Sequence, residues 1–546
     1  MKMTQLFTTA LAGCLITVAL AGCAGGGNND NNSSKNTNQS ASSEKVKLTA
    51  LVVKHSLTKD VNTMQWLNDL QDSVGVEIEW QQISADWDQK KSVLFASGEI
   101  PDLLFNATTD ADYVQYQGLF EDLSPLINES ATNISQMFND HPEAKVLAET
   151  IDGKIYGVPR YRSVWPDTSP TMFINKTWLD NLGLELPTTW DELEDVLIAF
   201  RDGDPNQNGD TTDEIPMDFD KITSSYSPRL LLGSLGLPLS NYTQNGYFVE
   251  DGIVKNFLID DRFKTLMIYL QKLYKEGLIN QEVITQDYSK YQSLARGDGN
   301  IAKVGFTWGW ESGDRFGNEL RSQYVALPQL KQHSDSTHEL YWSYDHYQIG
   351  YSGNAVAMSS KTKNKEAAMK FIDAMYDEKT SIEVLFGGMN DTDKGIKDNG
   401  DGTYQVLPPA DAQLDPGTWK WTNSLADMGA FYIRDEMKQK LTLGEDMQRV
   451  VEEKSTYDQL LAKADVRINV YPQGFMKYSQ EDINILAMNQ ANINHITDQS
   501  WAIWMTDASK DIEAEWNDYV KQVNNVGMKQ NLEIRQKAYE AYLAQL

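Results

Sequence analysis

The sequence predicts an α/β fold built in two lobes. Three observations carry that expectation: the order of apolar periodicities between residues 46 and 105, the length of chain left after a leader and tether, and the absence of cysteine from that remainder. Residues 46–54, VKLTALVVK, alternate and then run apolar, as a buried first strand does. Residues 64–74 place Trp66, Leu67, Leu70 and Val74 at helical spacing, and Gly75 stops the helix. A second strand is predicted over 76–83, VEIEWQQI, then a helix over about 85–97 that ends before Gly98. After Pro101 the apolar Leu103-Leu104-Phe105 reads as a third strand. Strand and helix in alternation predict a parallel sheet covered by helices. Roughly 500 residues of body are too many for one hydrophobic core, so at least two lobes are expected.

The N-terminus is read differently. In residues 1–22, Lys2 supplies a positive start, Leu6 to Leu20 an apolar core, and small residues lead to Cys23, the pattern of a bacterial secretory signal. Leu20-Ala21-Gly22-Cys23 is the form that a lipoprotein signal takes, which predicts lipidation, including palmitate, at Cys23. The same tetrapeptide ends at Cys14, but the apolar run before it is too short for a signal core. The stretch also falls short of the roughly 20 residues that a spanning helix needs. Residues 23–45 contain no aromatic or large aliphatic side chain before Val46 and read as a disordered tether. The expected location is the outer face of a bacterial cell membrane, held by lipid. Cys14 and Cys23 are the only cysteines, so the body has no disulfide, thiol nucleophile or cysteine metal site.

Composition narrows the function. With 48 Lys and Arg against 78 Asp and Glu, the net charge of -30 argues against nucleic acid or another polyanion as partner. The 14 Trp and 25 Tyr exceed what the core needs, and flat aromatic faces suit carbohydrate rings. Enzyme motifs are missing: no His-Glu-x-x-His, no Gly-x-Ser-x-Gly elbow and no phosphate-binding glycine loop.

Three phrases in order, KSVLFASGEIPDLLF at 91–105, GLFEDLSPLI at 118–127 and DGKIYGVPR at 152–160, resemble the N-terminal lobe of extracellular solute-binding proteins of carbohydrate ABC importers. MFINKTWLDNLGLELPTTWDELE at 172–194 is similar to the start of that family's second lobe, and residues 350–376 to its return crossing. Residues 511–542 resemble the closing helices of larger members, a subgroup that includes alginate-oligosaccharide-binding proteins. The resemblance implies a two-lobe periplasmic-binding-protein-like fold of type II, with lobes discontinuous in sequence and a ligand cleft between them. It places lobe 1 at 46–160 plus about 350–415 and lobe 2 at about 161–349 plus about 416–546, with crossings near 159–165 and 344–354. It further implies a monomer that passes oligosaccharides to ABC permease transmembrane subunits. A secreted glycoside hydrolase or lyase, a ligand-presenting sensor and a peptide-binding lipoprotein are the competing readings.

Two groups of residues are candidates for ligand chemistry. Asp204, Asn206, Asn208 and Asp210 put oxygen side chains at alternate positions of a loop, Gly209 allows its sharp turn, and Asp213 and Glu214 supply late carboxylates. That is a Ca²⁺ loop by chemistry, in a structural role, though position 12 is Ile215 and the late acidic pair must close the site by a different path. An acidic Asx-turn without metal is the alternative. The sugar candidates sit at predicted crossings and strand ends, where open α/β sheets bind ligands. They are Trp165, Trp308, Trp310, Tyr344, Tyr347 and Trp421, joined by His55, Asn106, Arg160, Arg162 and Asp345. Trp308 and Trp310, in GFTWGW, match the place where the resembled family usually has a ligand-stacking tryptophan. Trp419 accompanies Trp421 in DPGTWKW, read as a loop. The arginine pair keeps an acidic sugar open, because a carboxylate suits the guanidinium fork.

Overall fold

The computed structural model describes residues 44–240, 245–389, 394–410 and 416–546, with no account of the side chains of 416–418. The signal, Cys23 and most of the tether lie outside the described residues. Among the described residues no helix is long and apolar enough to cross a membrane.

The first sheet forms where the periodicities predict it. Strand β1 (Val46–Val53) lies between β2 (Val76–Ile83) and β3 (Leu103–Phe105), parallel to both. Helices α1 (Gln65–Val74) and α2 (Trp87–Ser97) make the connections. Alternation along β1 feeds both faces: Leu48, Ala50 and Val52 join Trp66, Leu67 and Leu70 of α1, while Leu51 joins Leu104 and Phe95 of α2. Gly75 ends α1 at φ +77°, a left-handed conformation that glycine adopts without a Cβ penalty.

β4 (Gly157–Arg162) belongs to the same sheet, and then the chain leaves it. β5 (Thr171–Asn175), β6 (Ile215–Met217), β9 (Val304–Gly309) and β10 (Tyr324–Ala326) build a second, mixed sheet in the order β10-β5-β9-β6. Between them, β7 (Tyr247–Glu250) and β8 (Ile253–Asn256) form a hairpin. β11 (Tyr351–Met358) returns to the first sheet between β3 and β4, antiparallel to each. Its register slips between Ser352 and Val356, where Asn354 sits at φ +57°. Gly157 faces this bulge, and a Cβ there would fall 2.3 Å from Asn354 Oδ1.

β12 (Ile396–Asp398) and β13 (Tyr404–Val406) form the hairpin that the Asp-Gly step at 401–402 predicts. β14 (Tyr432–Ile433) pairs with β4, so the chain is still attached to the first sheet at residue 433, beyond the change of lobe expected near 416. A third crossing then follows, through β15 (Leu441–Thr442), to the helix Glu445–Lys454 beside β10. The long helix Gln480–Thr506 packs on the helix Asp261–Lys275, and Ile512–Val523 and Lys529–Leu543 close the chain beside them.

Buried polar groups lace the crossings together. Asp345, from the second crossing, accepts from Ser169 N at 2.8 Å and Ser169 Oγ at 2.9 Å in the first, and from Ser240 and Ser343 hydroxyls at 3.1 and 3.0 Å. This corrects the ligand-contact role expected of Asp345: the side chain is fully buried and its oxygens are already engaged. From the third crossing, Lys454 Nζ donates to Ser169 O at 2.6 Å, Trp310 O at 2.7 Å and Thr171 Oγ1 at 3.1 Å. Burial pushes the Lys454 ammonium down to about 7, against the nearby charges of Glu453, Asp345 and Glu311. Replacement of Asp345 by alanine leaves buried donors unpaired and is expected to destabilise the protein by about 3 kcal/mol, measured by denaturant unfolding. A change below about 1 kcal/mol would remove the strut from this account.

Candidate functional site

β1, β3 and β4 end at one edge of the first sheet, which brings His55, Asn106, Arg160 and Arg162 side by side. They meet the helix Pro416–Asn423, a helix where a loop was expected, and the turn after it. The end of that helix is tied to the loop after β1: Thr58 Oγ1 donates to Trp421 O at 2.8 Å and Lys59 N to Thr422 O at 3.1 Å. Two non-glycine residues take positive φ here, Asn106 at 52° and Ala426 at 44°, a conformation that only surrounding structure sustains. Arg160 donates to Gly429 O at 3.2 Å and lies 3.5 Å from Asn106 Oδ1. Arg162 pairs with Asp427 and donates to Ile349 O at 2.8 Å.

The aromatic candidates here carry cations. Trp165 has Arg162 at 5.1 Å and Lys420 at 4.9 Å from its ring centre. Trp421 stacks on His55 at 4.4 Å and has Lys420 at 5.4 Å. Lys420 and Asp427, 3.6 Å apart, were not among the candidates. The lysine between two tryptophans in Trp419-Lys420-Trp421 is the only local signal of their importance, because the partners come from segments far apart in sequence.

At the second sheet the two expected tryptophans part company. Trp308 shares a face of β9 with Val304 and Phe306, and packs in the core 4.8 Å from Phe306 and 6.4 Å from Phe219. It is fully buried and offers no face to a ligand in this structure, which corrects the stacking role expected of it. Trp310 lies past the strand end, half-buried, with Lys454 Nζ 4.4 Å from its ring centre. Glu311 beside it accepts from Gly313 N at 2.6 Å and from Arg449 Nε at 2.8 Å, which ties the helix Glu445–Lys454 to the end of β9. Tyr344 and Tyr347 differ in the same way. Tyr344 lines a cavity, whereas Tyr347 packs against Phe475 at 5.2 Å and Tyr351 at 6.1 Å.

Two cavities flank the third crossing, and Leu443 lines both. One, of about 660 Å³, is bordered by Trp165, Asp167, Tyr344, Lys438 and Lys454. The other, of about 400 Å³, is bordered by Phe386, Trp419, Lys420, Asp446 and Gln448. Both volumes are in the range of small-molecule sites, and the wall between them holds Trp165 and Lys420 in contact.

The acidic loop winds around its own side chains. Asp204 accepts from the amides of Asn208 and Gly209 at 3.1 and 3.0 Å, and Asp213 from the side-chain amides of Asn206 and Asn208 at 3.3 and 3.0 Å. Gly209 makes the turn at φ +86°. Asp210 accepts from Thr212 N at 3.0 Å. Among the described residues no three acidic, histidine or cysteine side chains converge closely enough to chelate an ion. Glu214 is the exception to a satisfied loop: both carboxylate oxygens are buried without a hydrogen-bond partner. Burial, reinforced by Asp213, Asp204 and Asp210, pushes its carboxyl up to about 7. A hard cation would supply the missing partner, so the donor set fits Ca²⁺ once the asparagine amides turn their oxygens inward.

A family model for bacterial extracellular solute-binding proteins matches residues 61–381, more than half of the chain. The chain belongs to that family. It is similar to the HMO-binding, ABC-transporter-associated solute-binding protein of Bifidobacterium longum infantis, with 33% identity, a TM-score of 0.82, and coverage of 92% of this chain and 99% of that one. It is also similar to the fructooligosaccharide ABC transporter substrate-binding protein FusA of Streptococcus pneumoniae, 28% identical over 523 residues, which are 92% of this chain and 91% of that one. The structure of FusA with kestose superposes with a TM-score of 0.75, and an EF-hand mutant of FusA has also been solved. An alginate-binding protein solved without calcium, 18% identical with a TM-score of 0.62, shares the fold. These neighbours are two-lobe solute-binding proteins, which establishes the α/β two-lobe architecture for this member of the family.

Proposed function

We propose that this protein is the oligosaccharide-binding component of an ABC importer, capturing glycans between its lobes and delivering them intact to a membrane permease. The observation that carries the reading is the convergence of Trp165, Trp421, Arg160, Arg162, His55 and Asn106, from four separate segments, at one sheet edge, where Trp165 lines a cavity of about 660 Å³. The relatives support it: FusA is named for fructooligosaccharides, and the bifidobacterial protein for HMO. In this reading lobe 1 comprises the first sheet and its helices, lobe 2 the second sheet with the C-terminal helices, and the three crossings form the hinge. Trp165 is the principal platform, Tyr344 and Trp310 border the ligand, Trp308 supports from the core, and the half-buried Tyr347 packs against it. No bond is made or broken.

The test is calorimetric titration of a glycan panel, with the bound glycan recovered and analysed. Binding without new reducing ends is expected, and Trp165→Ala should weaken it at least about tenfold. Cleaved glycan would turn the assignment to a glycan-degrading enzyme. The chain is further proposed to act as a monomer, anchored through lipid on Cys23. Cys23→Ser in the full-length precursor should shift the protein from the membrane fraction to the medium, and unchanged membrane retention would contradict the anchor.

The Asp204–Glu214 loop is proposed to hold a structural Ca²⁺. Asp204, Asn206, Asn208 and Asp210 would provide oxygens from the first half of the loop, and Asp213 and Glu214 would close it. Without calcium, the Glu214 carboxyl favours its protonated form in the folded protein. Its contribution to stability is therefore full below about 4.5 and lost as pH rises toward about 7. Calcium should raise the Tm most above that pH, with a proton released on binding near neutrality. Glu214→Gln should flatten the metal-free pH dependence. A Tm indifferent to calcium at every pH would leave the loop as an Asx-turn.

A further inference from the structure

Charge at the wall between the two cavities does not balance. Arg160, Arg162 and Lys420 bring three cations together, and among the described residues Asp427 is the carboxylate in contact with them. Asp446, on the helix across the smaller cavity, also acts on Lys420, more weakly than Asp427. Among the described residues Arg160 has no ion-pair partner of its own: its hydrogen bonds go to a carbonyl and to an amide oxygen. Desolvation of a cation is costly unless an opposite charge compensates it. The cost registers on two of the cations, since burial and the charge of Arg162 push the Arg160 guanidinium down to about 10, and burial lowers Lys420 although Asp427 lies 3.6 Å from its ammonium. The cluster is still reachable from outside, with Arg162, Lys420 and Asp427 side chains 13%, 20% and 27% exposed.

Resting on the capture reading above, we propose that the oligosaccharide carries an acidic sugar unit, whose carboxylate is held at this wall by Arg160 and Lys420. A carboxylate would satisfy the free guanidinium edge and the ammonium together. The ring that bears it would use the neighbouring cavity of about 400 Å³ and its Trp419 indole N–H, which is buried without a partner. An inorganic anion would match the charge but leave that cavity and the indole unused. A polyanion of high charge density is disfavoured by the net charge of -30. Neutral sugars would leave the excess cation uncompensated.

Matched pairs of ligands test the inference: trigalacturonate against its methyl ester, and sialyllactose against lactose, each titrated calorimetrically at two salt concentrations. The acidic member of a pair is expected to bind at least about tenfold more tightly, with the gap narrowing as salt rises. Arg160→Gln should abolish the preference, and Arg160→Lys should recover part of it. In the ligand-free protein, Arg160→Met should raise the Tm, because it removes a partly buried charge with no ion-pair partner among the described residues; a purely structural arginine would lower it when removed. Equal or tighter binding of the neutral members overturns this inference and leaves oligosaccharide capture standing. Binding of no glycan in either series, or in a wider panel, overturns both.

Discussion

Ser169 and the two buried charges that meet there, Asp345 and Lys454, tie the connections between the two sheets to one another. Each comes from a different crossing, and neither has water to fall back on. The backbone of Ser169 donates to one and accepts from the other, so a single residue joins all three connections between the sheets. Any rotation of one sheet against the other must be absorbed near this knot or around it. The lining of the larger cavity, Trp165, Tyr344, Leu443 and Lys454, is drawn from the same crossings. The crossings and the larger cavity are therefore one structural region, and the distances that shape the cavity depend on the geometry that joins the two sheets.

Tryptophan in this chain serves two purposes that composition alone does not separate. Trp66, Trp178 and Trp190 are core residues, and Trp308 joins them because strand parity sets it beside Phe306. Trp165 and Trp421 stand at the crossing and carry cations on or beside their faces. A cation over an aromatic ring is attractive, yet in a desolvated wall it also concentrates positive charge. The protein as a whole is strongly acidic, and the site is locally basic. Long-range charge governs solubility and encounter, whereas charge at short range governs the contacts that a surface can make.

Much of the first lobe was legible in the sequence. Alternation in 46–54 and 76–83, the helical spacing of Trp66, Leu67 and Leu70, and the stop at Gly75 each act within a few residues, and each appears where it was predicted. The hairpin at 396–406 was legible for the same reason. The third crossing was not, since β14 contributes only two residues to the sheet and has no periodicity to read. Arg160, Arg162, Trp165, His55 and Asn106 were named as candidates because they lie at or just past strand ends, a topological rule that needs no coordinates, and the structure sets them along one sheet edge. Lys420, Asp427 and Lys454 escaped, as nothing local distinguishes a lysine bound for a buried wall from one bound for solvent.

What the sequence determined by itself is therefore local and topological: the two-lobe α/β class, the strand and helix order near the N-terminus, the family, and the composition of the acidic loop. What the tertiary structure decided is which polar groups lose their water. Asp345 and Glu214 look alike as carboxylates in polar segments, but one is surrounded by hydroxyl and amide donors and the other is buried with none. Arg160 and Asp427 are 267 positions apart in the chain, and only folding brings them to the same wall. Desolvation depends on neighbours from every part of the chain, and for that reason the charges that define the site could be located only in three dimensions.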